Sequence, residues 1–347
     1  MRKTAVILFN LGGPDSQKAV RPFLFNLFND PAILTLPNPF RWLLARLISS
    51  RRAGKARGIY QQMGGKSPIL DLTLAQADAL EKKLNLPRAI GKEAPEYKVF
   101  VAMRYWHPMS DVVVKNVKNY GPDRIILLPL YPQFSTTTTA SSFKEWKKQA
   151  AAAGLSAPTS EICCYPADLG FVAGHVKHIK DSYWKASEFG KPRVLFSAHG
   201  LPEKVIAGGD PYQWQVEQSV AGIRQILAID ELDSAICYQS RVGPLKWIGP
   251  STEEEIARAG KDGVPVVVVP VAFVSEHSET LVELDIEYRH LAEESGVPSY
   301  WRVPALGTEP LFIETLADLC TKSALEGTAS FNKERYCLRN FEKCPCQ

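Results

Sequence analysis

The chain has 347 residues, 45% hydrophobic and 22% charged, which excludes a disordered or low-complexity protein and leaves enough length to bury the cores of two domains. Its formal charge of +4 is small and evenly spread, so nucleic acid is not expected as a partner, whereas an anionic small molecule or an acidic membrane surface is compatible with it. The seven cysteines are an odd number, and Cys337, Cys344 and Cys346 crowd the C-terminal end; this is a poor disulfide framework, a suitable metal-ligand set, and the pattern of a cytoplasmic protein.

Residues 1–3 place two basic side chains before the apolar run 4–9, as a secretory leader would, but the run ends at Asn10-Leu11-Gly12-Gly13-Pro14 and reads as a first buried strand. No stretch approaches the roughly 18 apolar residues of a membrane-spanning helix, so a soluble or surface-attached protein is expected. Short β-branched runs bounded by Pro, Gly or Asp then alternate with stretches of helical periodicity, the signature of an α/β fold with mainly parallel strands. Strands are expected near 4–9, 97–103, 124–130, 161–165, 193–198, 234–237, 264–269 and 300–303, with helices over 75–84, 110–119, 142–153, 170–184, 214–227 and 281–295. Such a set suits two doubly wound sheets better than one, joined near 151–158. This gives domains at 1–155 and 156–305, a helix at 306–326 packing back on the body, and a cysteine-containing tail at 327–347. No residue-level internal repeat is visible.

Ligands of doubly wound sheets bind beyond the carboxyl ends of the strands, and the sequence is unusual there. Ser197-Ala198-His199-Gly200-Leu201-Pro202 ends a strand on a histidine, and the Gly and Pro turn the chain away so that the imidazole can face a cleft. A neutral imidazole is both a metal ligand and a proton acceptor. On spacing alone, a histidine hydrogen-bonded inside a turn fits somewhat better. Phe273-Val274-Ser275-Glu276-His277-Ser278-Glu279 leads from an apolar strand into a helix carrying Glu279, Glu283 and Glu287, whose spacing of four aligns the carboxylates in a row. That row suits passage of a divalent cation or protons, and equally an ordinary solvated face. Phe40, Leu43, Leu44, Leu47 and Ile48 share one helical face, ordinarily a core-packing stripe, and Arg51, Arg52 and Lys55 follow it.

These blocks run in order with Arg104-Tyr105-Trp106-His107-Pro108, Leu130-Tyr131-Pro132-Gln133-Phe134-Ser135, Tyr238-Gln239-Ser240-Arg241-Val242-Gly243-Pro244, Trp247-Ile248-Gly249-Pro250 and Glu276-His277-Ser278-Glu279-Thr280-Leu281. The ordered set resembles ferrochelatase, an enzyme that inserts ferrous iron into a porphyrin to make heme. The resemblance implies the chelatase fold: two Rossmann-like, flavodoxin-like domains with an active-site cleft between them. It implies that His199 takes protons from the pyrrole nitrogens or binds the metal, that Glu279 stands opposite, that His277 and Glu276 orient and charge it, and that Glu283 and Glu287 form a metal or proton path. It also puts Leu11, Arg52, Tyr60, Ser67, Arg104, Tyr131, Trp247 and Phe273 around the porphyrin, with segment 37–68 as a lip whose apolar face touches membrane or substrate. Leu11 stands where coproporphyrin-using relatives tend to carry tyrosine, which points to protoporphyrin IX. The implied activity is insertion of Fe²⁺ into protoporphyrin IX to give protoheme and two protons, by a monomer or homodimer, cytoplasmic and peripheral on the inner face of the membrane. Coproporphyrin III insertion and a non-catalytic heme or porphyrin carrier are the alternatives.

Cys337-x6-Cys344-x-Cys346 suits a soft metal site in need of a fourth ligand, which Cys163 or Cys164 could supply. Adjacent strand residues point to opposite faces, so one of that pair is expected to serve. Some ferrochelatases hold a [2Fe-2S] cluster through such a tail, and the resemblance implies one here. The animal-type body cysteine would fall in 134–139, where this chain has Ser and Thr; the Cys163-Cys164 pair resembles the arrangement of certain bacterial members. Cys237 and Cys320 read as core residues.

Overall fold

The computed structural model describes residues 2–87, 95–241, 243–323 and 326–346, so Val242 of the 238–244 motif lies outside the described residues. The chain divides into two compact units, one comprising Met1–Cys164, Leu316–Tyr336 and Pro345–Gln347, the other Tyr165–Thr315 and Cys337–Cys344.

The first unit is built on a parallel sheet of β1 (Lys3–Asn10), β2 (Glu96–Met103), β3 (Arg124–Pro129), β4 (Thr159–Ile162) and, from the C-terminal region, β9 (Gly327–Ala329), in the order β2-β1-β3-β4-β9. The apolar run of β1 is buried throughout, as a central parallel strand covered on both faces requires, and Ile7 stands opposite Phe100 and Leu127. Ile7, Phe9, Val113, Val117, Leu127 and Trp146 meet in one core, where the Phe9 ring lies edge-on to Phe143 and Trp146 at 5.6 and 5.9 Å. The helices of this unit are α1 (Val20–Phe28), α2 (Phe40–Gln61), α3 (Ile69–Leu84), α4 (Ser110–Tyr120) and α5 (Thr139–Ala153). Helix α2 buries a narrow face of small residues, Ala45, Ser49 and Ala53, spaced by four. Its apolar stripe is consequently outside: Phe40, Leu43 and Leu47 are 64%, 56% and 46% exposed.

The second unit carries α6 (Leu169–Ala186), β5 (Arg193–His199), α7 (Glu203–Ala207), α8 (Tyr212–Leu227), β6 (Ser234–Gln239), α9 (Thr252–Asp262), β7 (Val266–Pro270), a π-helix (Glu279–Glu287), α10 (Tyr288–Glu294) and β8 (Tyr300–Arg302). Its four-stranded parallel sheet has the order β6-β5-β7-β8. Leu195, Ile256, Val266, Val268, Leu284 and Tyr288 form the core beneath it. Helix α11 (Pro310–Lys322) leads from this unit back into the first.

Both sheets share one plan. The chain leaves β1 for β2 on one side and β3 for β4 on the other, and β5 and β7 diverge in the same way. The crevice that such divergence opens lies beyond the carboxyl ends of β1 and β3 in the first unit, and of β5 and β7 in the second.

The structure departs from the sequence reading in four places. Strand β4 pairs with β3, so the first sheet reaches Ile162 and its unit Cys164, past the expected division at 155/156. The tail expected at 327–347 supplies β9, which extends that sheet by pairing with β4. The single helix expected over 281–295 is a π-helix followed by α10. Helix α9, also unanticipated, opens on a capping box between Ser251 and Glu254.

Candidate active site

In the second unit the buried run of β5 delivers His199 to the crevice. The turn behind it leaves little room for a side chain, because a Cβ on Gly200 would lie 3.0 Å from the Gln239 carbonyl oxygen and 3.2 Å from Arg241 Cγ. The chain then bridges Pro202 to Trp247, and Ile248 N–H donates to the Leu201 carbonyl at 3.0 Å, which sets Trp247 beside the histidine turn. The crevice segment after β7 carries the other partner. His199 Nδ1 is 2.8 Å from Glu279 Oε2, with the two side chains 37% and 23% exposed. His277 Nε2 lies 3.9 Å from the same oxygen. Its own orientation is fixed by Nδ1 at 3.1 Å from the Ser275 carbonyl, by backbone donation to Thr280 Oγ1 at 2.9 Å, and by the Phe273 ring at 4.7 Å. His199, Glu279, His277 and Phe273 thus lie together, with Trp247 beside the histidine turn.

The electrostatics oppose one another across this pair. Burial pushes the His199 imidazole down, but the Glu279 carboxylate, its hydrogen bond and Glu283 behind it outweigh burial and hold the pKa above the usual value. Burial pushes Glu279 up, and His199 and His277 more than reverse it, holding the carboxyl well below the usual carboxylate range. Each shift favours the charged form of its group, imidazolium for His199 and carboxylate for Glu279. Glu283 differs: burial and the Glu279 charge raise it, with the Ser240 hydrogen bonds only partly offsetting them.

Glu283 is gripped by Ser240 N–H at 2.8 Å, Ser240 Oγ at 2.5 Å, Gln239 Nε2 at 3.3 Å and the Tyr288 hydroxyl at 3.2 Å. Ser240 achieves this with φ of +60°, a left-handed conformation that costs a non-glycine residue energy and clusters at functional positions. Neither Ser240 nor Gln239 was assigned a role from sequence, although both lie within the 238–244 motif, and a serine in a positive-φ turn carries no sequence signal. Glu276 does not join the pair: it accepts from Arg302 Nη1 at 2.8 Å and from Ala305 N–H at 2.9 Å. Glu287 is exposed at the end of the π-helix.

In the first unit, Leu11 follows β1 half-buried, held by its N–H donating to Asn10 Oδ1 at 2.8 Å and its carbonyl accepting from Tyr105 N–H at 3.0 Å. Arg52 is exposed on α2 with its guanidinium 5.7 Å from the Phe28 ring centre. Tyr60 and Ser67 are buried, and Ser67 N–H donates to the Pro14 carbonyl at 2.8 Å. Arg104 is committed within the protein: Nη2 reaches Asp30 Oδ2 at 2.8 Å, and Nε donates to Ser141 Oγ at 2.8 Å. Asp30, 2% exposed in its side chain, also accepts from Tyr105 hydroxyl and from Ser141, a network that sequence reasoning missed because no local pattern links residues 30, 104 and 141. Among the described residues the Tyr131 hydroxyl and the Trp247 indole N–H are buried without hydrogen-bond partners.

Every cysteine among the described residues is buried. Cys163 Sγ lies 3.3 Å from Cys164 Sγ and 3.2 Å from Cys346 Sγ, which presses the Cys163 thiol well above its usual pKa through those sulfur contacts and burial. Cys337 Sγ accepts from Gln215 Nε2 at 3.0 Å. Among the described residues no three His, Cys, Asp or Glu side chains are grouped so as to hold a metal ion.

The sequence matches the ferrochelatase family over residues 3–324. The chain belongs to the ferrochelatase family. It is 57% identical over 318 residues to a ferrochelatase of Wolbachia sp. subsp. Drosophila simulans (strain wRi), a match covering 92% of this chain and 98% of the relative. It is 51% identical over 348 residues to a ferrochelatase of Caulobacter vibrioides (strain NA1000 / CB15N), covering 100% and 98%. Among solved structures, SirB from Bacillus subtilis with Fe³⁺ is similar with a TM-score of 0.54 at 13% identity, covering 93% of this chain and 95% of that one, a likeness in fold. The chain is thus a metal-inserting enzyme of heme biosynthesis.

Proposed function

We propose that the chain inserts Fe²⁺ into protoporphyrin IX, releasing protoheme and two protons, with His199 and Glu279 handling metal and protons. The observation that carries this is the 2.8 Å His199–Glu279 pair, partly open to solvent and with both groups shifted toward their charged forms. As a dication enters the macrocycle, the pyrrole protons must leave, and a base with a nearby carboxylate meets both needs. The imidazolium must first shed its proton, for which the approaching cation supplies the repulsion. Glu283, raised in pKa and hydrogen-bonded by Ser240, stands next in line to accept it. Glu287, exposed one step further, opens the row to solvent.

Around the macrocycle we assign Leu11, Arg52, Tyr60, Ser67, Tyr131, Trp247 and Phe273. Support comes from the unpartnered buried Tyr131 hydroxyl and Trp247 N–H, since buried polar groups left unbonded point to a missing partner. Arg104, held by Asp30 and Ser141 through Nη2 and Nε, is placed at the same wall. The apolar Leu11 favours protoporphyrin IX over the more highly charged coproporphyrin III. The exposed Phe40, Leu43 and Leu47 stripe, with Arg46 and Arg51 beside it, suits peripheral contact with an anionic membrane; no helix among the described residues is long and apolar enough to cross one. A [2Fe-2S] cluster on Cys337, Cys344, Cys346 and Cys163 or Cys164 is supported by the spacing of the tail and by the Cys163–Cys346 approach, and no step of the reaction runs through it.

Anaerobic protein mixed with Fe²⁺ and protoporphyrin IX should quench porphyrin fluorescence and give a heme spectrum. Absence of turnover with protoporphyrin and coproporphyrin alike overturns the enzymatic reading. A colourless, iron-free protein with intact thiols overturns the cluster.

A further inference from the structure

Strand β8 is three residues long, yet it fastens both ends of the segment that carries Glu279. Arg302 Nη1 donates to Glu276 Oε1 at 2.8 Å, before Glu279 in the chain, and Arg302 Nε lies 3.3 Å from Asp285 Oδ2, beyond it in the π-helix. Asp285 Oδ1 in turn takes Arg289 Nη2 at 2.7 Å, and Arg289 Nη1 donates to the Tyr300 carbonyl at 2.9 Å. The Tyr300 hydroxyl donates to the Leu284 carbonyl inside the π-helix. The Arg302 side chain is 10% exposed and that of Glu276 20%. Among the described residues the second Glu276 oxygen is buried with no hydrogen bond, so Arg302 is the cation that balances this carboxylate.

A π-helix is a poor stand-alone structure, found mostly as single turns at functional sites and kept only where its surroundings fix it. Here it spans nine residues, begins at Glu279 itself, and is tied to β8 at Leu284 and Asp285, with Arg289 of α10 adding a bond to the Tyr300 carbonyl. No hydrogen bond or ion pair among those above joins Arg302 to His199 or Glu279.

We propose that Arg302 is a positioning residue: one guanidinium holds the Glu276 turn and the π-helix at Asp285 together, and so sets the Glu279 carboxylate against His199. This rests on the His199–Glu279 reading above. The guanidinium reaches Glu276 by a hydrogen bond from Nη1 and Asp285 by charge alone, Nε making no hydrogen bond among the described residues; its delocalised charge lies near both carboxylates at once, which the compact charge of an ammonium does less well.

The test uses the full chain with Arg302→Gln, Arg302→Lys and Asp285→Asn, reading the His199 ring titration by NMR, kcat and KM for Fe²⁺, and the melting temperature. The groups facing His199 are Glu279 and Glu283 from the π-helix and Tyr212 from α8, and none is altered by these changes. Arg302→Gln should move the His199 titration toward lower pH and lower kcat about 10-fold to 100-fold, as expected for a misplaced catalytic group. Asp285→Asn should do the same more weakly, and Arg302→Lys should fall between it and Arg302→Gln. An unchanged His199 titration in Arg302→Gln, with only the melting temperature lowered, overturns the proposal. Should Arg302→Gln fail to fold, Asp285→Asn decides by the same criterion. The titration is read without turnover, so an inactive wild-type protein would sink the functional reading while leaving this one to be judged separately.

Discussion

Around the crevice of the first unit, Arg104 and Asp30 form a charge pair with side chains 14% and 2% exposed, its hydrogen bonds completed by Ser141 and Tyr105. In the crevice of the second unit, which follows the same strand order, His199 and Glu279 pair with 37% and 23% exposure, one driven up in pKa and the other down. The first pair is nearly closed off from solvent and ties residues 30, 104, 105 and 141 together. The second stays partly open to solvent with both groups shifted toward their charged forms, the property on which the proposed handling of metal and protons rests. One fold plan therefore yields a structural pair or a reactive pair, according to how completely the surrounding residues satisfy it.

Removing one partner from each pair should separate these roles. Glu279→Gln should lower kcat by about 10²-fold to 10⁴-fold, the range for loss of a general acid or base, while the protein still melts cooperatively. It also removes the main influences that raise His199, so burial prevails and the imidazole titrates below its ordinary value near 6.5. Because a protonated imidazole accepts no proton, the acid limb of kcat/KM in the wild-type protein should lie above that value; a limb at or below it contradicts the ion pair. Asp30→Asn should instead destabilise the fold by about 3–5 kcal/mol, since it strands a buried guanidinium, and chemical denaturation reads this directly. Equal losses of stability in both variants would erase the distinction.

A smaller effect sharpens it within the second unit. His175 on α6 is fully buried, without a hydrogen-bond partner among the described residues, and burial pushes its pKa down to about 3. A base depressed in the folded state is neutral there and protonated in the unfolded chain below its ordinary value, so it costs stability as pH falls. Between pH 6.5 and 5 that loss amounts to about 2 kcal/mol. His175→Phe, packed like the wild-type ring against Phe171, should flatten that slope, and a slope unchanged by the substitution would assign acid sensitivity elsewhere. His199 carries the opposite sign: its pair is intact below pH 6.5 and is lost as pH rises through its raised pKa.

The α/β architecture was legible because parallel strands buried on both faces leave continuous apolar runs, as in residues 4–9 and 193–198. The π-helix was not, because its residues keep the same spacing of four that an α-helix would show, and the distinction lies in backbone hydrogen bonding fixed by β8. Strand β9 was hidden by its shortness, three residues whose pairing with β4 is entirely long-range. His199, His277 and Glu279 could be named from motif order, since each stands at or just after a strand end. Ser240, Asp30 and Arg302 could not, because what defines each is a partner more than 15 residues away in the chain. The exposed stripe of α2 corrects the usual expectation for an amphipathic helix: the face of small residues packs inward and the large apolar residues do not.

The most direct measurement is a single-turnover experiment on His199→Ala with protoporphyrin IX already bound and Fe²⁺ added anaerobically. The account predicts retained porphyrin binding, seen as an unchanged shift of porphyrin fluorescence, with no heme spectrum forming on the wild-type timescale. Iron insertion by His199→Ala at the wild-type rate would contradict it.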